Sequence, residues 1–385
     1  MRTISDTIAR LAAMRGGPRF PTNPHDDRLS DLGAFGSNPG ALRGRCYIPH
    51  DLPPGAALVV VLHGCTQTAA GYDHGSGWSR LADEEGFAVL YPEQQRANNP
   101  NLCFNWFVPE DMRRDRGEAL SIRQMIDTIV AEHGLDRRRI FVTGLSAGGA
   151  MAASMLASYP EVFAGGAIIA GLAHGSASTI PEAFDRMRGH GGPSTAELQR
   201  RLKEASPHEG PWPRVSIWQG SADATVAPSN ADSILGQWQG VHRVEPGLPR
   251  TETVDGHMRQ VWRDAGGREV IERYTIAGMG HGTPLKTLGE DGLGNVAPFM
   301  IEAGISSTRR IAAFWEITKG AATGRAKVSR QPASGRAVEL RAAVDIPRAV
   351  RVDHAAETPK SPVRGSATGI SKTIEDALRT AGLMR

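Results

Sequence analysis

Residues 140–156 read IFVTGLSAGGAMAASML, and the junction between the two halves decides the fold. Ile140 to Thr143 have the β-branched and aromatic character of a strand. From Ala150 the chain turns to helix formers. Between them stand Gly144, Ser146, Gly148 and Gly149. Glycine weakens strand and helix interiors alike, so three of them around one serine mark a backbone that ordinary side chains would obstruct. A serine flanked by small residues at a sharp strand-to-helix turn is the pattern of a nucleophile elbow. Such a turn forces the serine into a strained conformation and stands its Oγ clear of the carboxyl edge of the sheet. The helix N-terminus behind it favours developing negative charge.

Working outward, the neighbouring segments supply the sheet that an elbow needs. AALVVVLHG (Ala56–Gly64) and GFAVLYP (Gly86–Pro92) are buried-strand patterns, with WSRLADEEG as a short helix between them. Leu120, Met125, Ile126, Ile129 and Val130 recur at helical spacing before Gly134. After the elbow come a helix over Ala147–Tyr159 and the strand GGAIIAG. Further on are the strand RVSIWQG, a helix near Asn230–Gln239, the strand EVIERYTI and a helix near Ser307–Ile317. Near-continuous apolar strands alternating with helices predict an α/β fold, a mostly parallel sheet covered on both faces. Residues 172–213 interrupt the alternation. They are rich in Gly, Pro and His, include the charged helical stretch STAELQRRLKEAS, and read as a lid-like excursion over the sheet.

A serine nucleophile needs a base and a group to orient it, in the chain order Ser, acid, His in this kind of fold. Asp223 lies in a loop just after RVSIWQG, and His281 in a glycine-rich loop just after EVIERYTI. Both therefore sit at strand C-terminal ends, where an open α/β sheet builds its site. Asp232 competes for the acid role but falls on a helix. For the oxyanion, one backbone donor would be the amide of Ala147. The other would come from the loop His63-Gly64-Cys65-Thr66-Gln67, where Gly64 permits close approach and the Cys65 amide is the expected donor. His63 reads as shaping that loop rather than as a base, and His63 and Gly64 are also expected to border the substrate.

The segments LHGCTQTAAGYDHGSGWSRLADEEGFAVLYPEQ, CFNWF, DRRRIFVTGLSAGGAMAASMLASYPEVFAGGAIIAGL, GSADATVAPSNA and GMGHGTPL, in that order, resemble the poly(3-hydroxybutyrate) depolymerase family of esterases. These are α/β-hydrolases related to feruloyl and acetyl-xylan esterases. The resemblance runs from about Gly40 to Ile317. It implies hydrolysis of short-chain hydroxyacyl or aryl esters through an acyl-enzyme, with Ser146, Asp223 and His281 as the triad and no metal or organic cofactor. It also places CFNWF beside the nucleophile. From the residues alone, that aromatic cluster reads as core packing or as a pocket wall. The resemblance favours Trp106 as the wall of an acyl pocket, with Phe104 and Phe107 turned to the core. The family pattern likewise suggests a bridge between Cys65 and Cys103, leaving Cys46 as the odd thiol. Reduced cysteines in a cytoplasmic protein are the competing expectation. Secreted depolymerases of this kind carry a signal peptide and a polymer-binding domain, and neither pattern is found here.

Composition bounds the alternatives. The chain has 385 residues, with 40% hydrophobic and 22% charged, enough for a real core. Domain limits are expected at 1–318 for the catalytic unit, 319–367 for a disordered linker and 368–385 for an amphipathic helix. Residues 319–385 hold 13 basic and 6 acidic residues, a net of +7, against 31 and 35 in the remainder, a net of −4, so the basic character of the chain belongs to the tail. That tail has no Trp, Tyr or Phe, which argues against a nucleic-acid partner. No run approaches a membrane span. Asp6 and Arg10 break up the first residues, where Ile4, Ile8 and Leu11 fit a short helix rather than a Sec signal. That favours a cytoplasmic location, while the resemblance also suits a periplasmic or extracellular one. The expected partner is an ester substrate, and the oligomeric state is unspecified. The remaining readings are a feruloyl or acetyl-xylan esterase, a peptidase on the same fold, and a binding protein on an inactive hydrolase scaffold.

Overall fold

The computed structural model describes residues 27–244 and 249–319. The expected N-terminal helix, the linker and the C-terminal amphipathic helix lie outside these residues. The elbow strand, β5 (Ile140–Leu145), sits in a ten-stranded sheet. The others in chain order are β1 (Ser30–Asp31), β2 (Arg43–Tyr47), β3 (Leu58–Leu62), β4 (Ala88–Glu93), β6 (Gly165–Ile169), β7 (Arg214–Gly220), β8 (Arg250–Val254), β9 (His257–Arg263) and β10 (Glu269–Ile276). The spatial order is β1-β2-β4-β3-β5-β6-β7-β10-β9-β8. β4, β3, β5, β6, β7 and β10 run parallel, and antiparallel strands finish both edges.

The apolar runs follow from two covered faces. All five residues of β3 are fully buried. Leu58, Val60 and Leu62 pack with Ile122, Met125, Ile126 and Ile129 of α4 (Gly117–His133) and with Met151 and Met155 of α5 (Ala147–Ser158). Val59 and Val61 enter the opposite core, with Tyr72 of α1 (Ala69–Ser76), Trp78 and Leu81 of α2 (Trp78–Glu85) and Ile311 of α9 (Ser307–Phe314). A strand buried on both sides has no polar face to alternate with.

Three of the differences from the sequence reading have an identifiable physical reason. α1 was not expected, because Gly71 and Gly75 interrupt any stripe. It starts at Thr68, whose hydroxyl accepts the Gly71 amide at 3.2 Å. The β8–β9 hairpin was also not expected. Asp255 and Gly256 turn it with φ of +49° and +83°, the paired left-handed geometry of a two-residue hairpin loop. The third difference is the excursion. α6 (Ile180–Met187) lies toward the site, but α7 (Thr195–Glu204) packs on the flank against α8 (Ser229–His242). There Gln199 donates to the Gly236 carbonyl at 2.7 Å, and Gln237 donates to the Leu198 carbonyl at 2.9 Å. Only the first half of the excursion therefore lies toward the site. Between the site strands and α4, α3 (Pro109–Met112) is a single turn. After β10, β11 (Thr283–Leu285) pairs in parallel with β12 (Met300–Glu302).

Candidate active site

Ser146 has φ +56° and ψ −118°, a conformation that an L-residue holds only when its surroundings impose it. Those surroundings are identifiable. Its amide donates to the Ile169 carbonyl of β6 at 2.9 Å, and its carbonyl accepts the Ala150 amide at 2.9 Å. A methyl group on Gly148 would come within 2.3 Å of the Leu62 carbonyl oxygen and 2.4 Å of that of His63. Gly148 is therefore what lets the start of α5 lie against the end of β3. That contact brings the elbow beside the loop that follows β3, so Ser146 and the expected oxyanion loop are neighbours by backbone packing.

Asp223 follows β7 by three residues and His281 follows β10 by five. Both loops leave the same carboxyl edge as the elbow. The Asp223 side chain is fully buried and that of His281 is 7% exposed. His281 Nδ1 lies 2.8 Å from Asp223 Oδ2. The other Asp223 oxygen accepts the Thr225 and Val226 amides, each at 2.9 Å, and Gln219 Nε2 donates to Oδ2 at 3.0 Å. Donors from three directions fix that carboxylate. With a carboxylate on Nδ1, the proton sits there and Nε2 keeps its lone pair, as a general base requires. Asp232 is elsewhere: exposed on α8 and paired with Arg273 at 2.5 Å.

Trp106, Ala147, Ala150, Leu172, Ala177, Ala183 and Val226 form one apolar cluster, with Cys65, Cys103 and Phe107 packed against it. It joins Ala147, the loop of Asp223, the aromatic loop and the first half of the excursion. Phe104 is buried in the main core as expected. Phe107 is not. It is half-buried, edge-on to Trp106 with ring centroids 5.6 Å apart, because the half-turn after Asn105 carries it to the site side. Cys65 and Cys103 are disulfide-bonded, and Cys46 is free and buried. As the first residue of α5, Ala147 has no carbonyl one turn back for its amide, and the Cys65 amide meets no acceptor among the described residues.

His63 corrects one expectation. It is fully buried, with Nδ1 2.8 Å from the Gly64 carbonyl and Nε2 accepting the Gln94 amide at 3.1 Å. Both ring nitrogens are occupied and the ring has no exposed surface, which leaves it the loop-shaping part and not the expected place at the substrate. Burial lowers its pKa, which keeps the ring neutral. The Gly64 carbonyl and the Cys65 amide belong to one planar peptide group, so the bond from His63 orients that amide. Gln94, Glu118 and Gln219 were missed by sequence reasoning. A lone Gln or Glu carries no local signal of a partner brought in from elsewhere in the chain.

The model of the family described as "Esterase PHB depolymerase" matches residues 47–244. The chain is 43% identical over 292 residues to "Poly(3-hydroxyalkanoate) depolymerase C" of Paucimonas lemoignei, covering 75% of this chain and 70% of that protein. It is 31% identical over 275 residues to an acetylxylan esterase of Coprinopsis cinerea, covering 70% and 72%. Among solved structures, the acetyl xylan esterase from Aspergillus awamori aligns with a TM-score of 0.61 at 26% identity, covering 66% of this chain and 93% of that one.

Proposed function

Since the chain belongs to the poly(3-hydroxybutyrate) depolymerase family of esterases, and is therefore a carboxylic ester hydrolase, we propose that it cleaves short-chain hydroxyacyl esters through an acyl-enzyme on Ser146. The observation that carries the assignment is the buried His281–Asp223 bond of 2.8 Å at the sheet edge that also carries the strained Ser146. In this mechanism His281 Nε2 takes the Ser146 proton as Oγ attacks the ester carbonyl. Asp223 stabilises the imidazolium and is not itself protonated. The Cys65 and Ala147 amides receive the negative charge of the tetrahedral oxygen, a contribution of ~3 kcal/mol or more per donor in related chemistry. His281 then protonates the leaving alcohol, and a water repeats the cycle on the acyl-enzyme.

A hydroxyacyl substrate is favoured over an acetyl group by the apolar cluster beside Ala147, whose Trp106 and Val226 suit a short alkyl chain. The relative from Paucimonas lemoignei is named for polyhydroxyalkanoate. The second reading, an acetyl-xylan or feruloyl esterase, is supported by relatives carrying those names. Turnover of aryl acetate, butyrate and 3-hydroxybutyrate, of amorphous and crystalline polyhydroxybutyrate, and of acetylated and feruloylated xylan separates the two. The expected order places 3-hydroxybutyryl esters first. Preference for acetylated or feruloylated xylan would replace this reading with the second.

A further inference from the structure

Glu118, in the first turn of α4, is fully buried and has no part in the chemistry just described. Carboxyl groups are rarely buried so completely unless partnered. Here one oxygen accepts the Asn105 amide at 2.9 Å, while the other accepts Gln94 Nε2 at 2.6 Å and Asn98 Nδ2 at 3.2 Å. All three donors come from residues 94–105, the loop that carries Cys103 and leads to Trp106. Gln94 extends the connection. Its side-chain nitrogen also donates to the Cys103 carbonyl at 3.0 Å, and its backbone amide donates to His63 Nε2 at 3.1 Å. His63 holds the Gly64 carbonyl, and with it the Cys65 peptide plane.

A buried polar path therefore runs from Glu118 through Gln94 and His63 to the peptide whose N–H is the proposed oxyanion donor. A branch runs to the loop bridged to that same residue by the disulfide. The disulfide limits how far Cys65 and Cys103 can separate, but it does not fix the rotation of the Gly64–Cys65 peptide. The hydrogen-bonded path does. Resting on the proposed mechanism, we infer that Glu118 is a positioning residue for the oxyanion loop, acting through Gln94 and His63 to hold the Cys65 amide at its transition-state angle. An oxyanion donor acts on charge that develops only in the transition state, so its misalignment lowers kcat and leaves ground-state binding largely intact.

The test compares Glu118→Ala, Glu118→Gln and Gln94→Ala with the unaltered protein, measuring kcat, KM and Tm on a short aryl ester well below every Tm. The expected result for Glu118→Ala and Gln94→Ala is a kcat lower by about tenfold or more with KM within about twofold, since one complete oxyanion donor is worth roughly 10²–10³. Glu118→Gln has one acceptor oxygen where Glu118 has two, so it can satisfy either the Asn105 amide or the Gln94 and Asn98 side chains but not both, and its kcat should fall between those of Glu118→Ala and the unaltered protein. If Glu118→Ala does not fold, Gln94→Ala makes the same comparison alone. A kcat unchanged despite a lowered Tm, or a loss carried by KM alone, would overturn the inference. Ser146→Ala is assayed in parallel. If it stays active, the triad reading itself fails; if it is inactive while kcat is unmoved in the other variants, only the role of Glu118 is refuted.

Discussion

The positions of Ser146, Asp223 and His281 at strand ends were legible in the sequence because each stands in a glycine-rich or turn-forming loop directly after a strand, and the strands announce themselves by composition. His63 was half-legible: its place beside Gly64 suggested a loop-shaping role, but only the Gln94 amide on Nε2 shows that both ring nitrogens are engaged inside the protein. Trp106 was ambiguous for a physical reason. An indole can fill a core or wall a pocket, and the sequence of its loop is the same in either case. It is 5% exposed and shares its cluster with Ala147 and Val226, so truncation would enlarge the space beside Ala147, where the proposed mechanism puts the acyl group. Trp106→Ala is expected to lower kcat/KM for butyryl and 3-hydroxybutyryl esters well beyond its effect on acetyl esters, at ~0.8 kcal/mol for each CH₂ that loses contact. Equal losses on both, with a much lower Tm, would assign the indole to packing alone.

At the scale of elements, the parallel strands and their helices were read correctly where the apolar pattern is strong, and missed where turn chemistry or capping decides. The Asp255-Gly256 pair was a usable hairpin signal. α1 had none beyond its Thr68 cap, and tertiary packing of Tyr72 against the second core supplies what propensity lacks. α4 shows how an element can carry a titrating group into the interior. Burial and the neighbouring Asp111 carboxylate push Glu118 up to about 8, against the pull of its hydrogen-bond donors. Its ordinary value is 4.5, so between the two the folded chain keeps a proton that the unfolded chain has released. The stability contributed by the neutral form is complete below the lower value and is lost as pH rises through the upper one. Glu118→Gln is neutral throughout, so its Tm should decline less than that of the unaltered protein between pH ~5 and ~9. Parallel curves would place the titration in another group.

For the whole molecule, two cores on opposite faces of one sheet hold the carboxyl edge rigid, and loops from β3, β5, β7 and β10 meet there. The fold class followed from the alternation of strands and helices. The pairing of Cys65 with Cys103 could not follow from spacing, because it depends on two loops that leave different strands and meet only across the sheet edge. Closing a 38-residue separation with a bridge removes entropy from the unfolded chain, worth about 3–4 kcal/mol on the loop-closure scale. A persistent bridge suits an oxidising compartment, in tension with the cytoplasmic expectation drawn from the first residues, which lie outside those described. Thiol titration of the denatured, non-reduced protein should find one free thiol, from Cys46. Three would show that the bridge is absent from the isolated protein.

The assignment of Ser146 as the nucleophile is tested most directly by trapping the acyl-enzyme. A slowly deacylating aryl 3-hydroxyacyl ester is mixed with the enzyme, quenched in acid and digested, and the peptides are weighed by mass spectrometry. The expected result is a burst of phenol near one equivalent, with the acyl mass on the peptide containing Ser146 and neither burst nor adduct in Ser146→Ala. An acyl group on a different residue, or a Ser146→Ala variant that turns over the ester at the unaltered rate, would show that the elbow is not the catalytic centre.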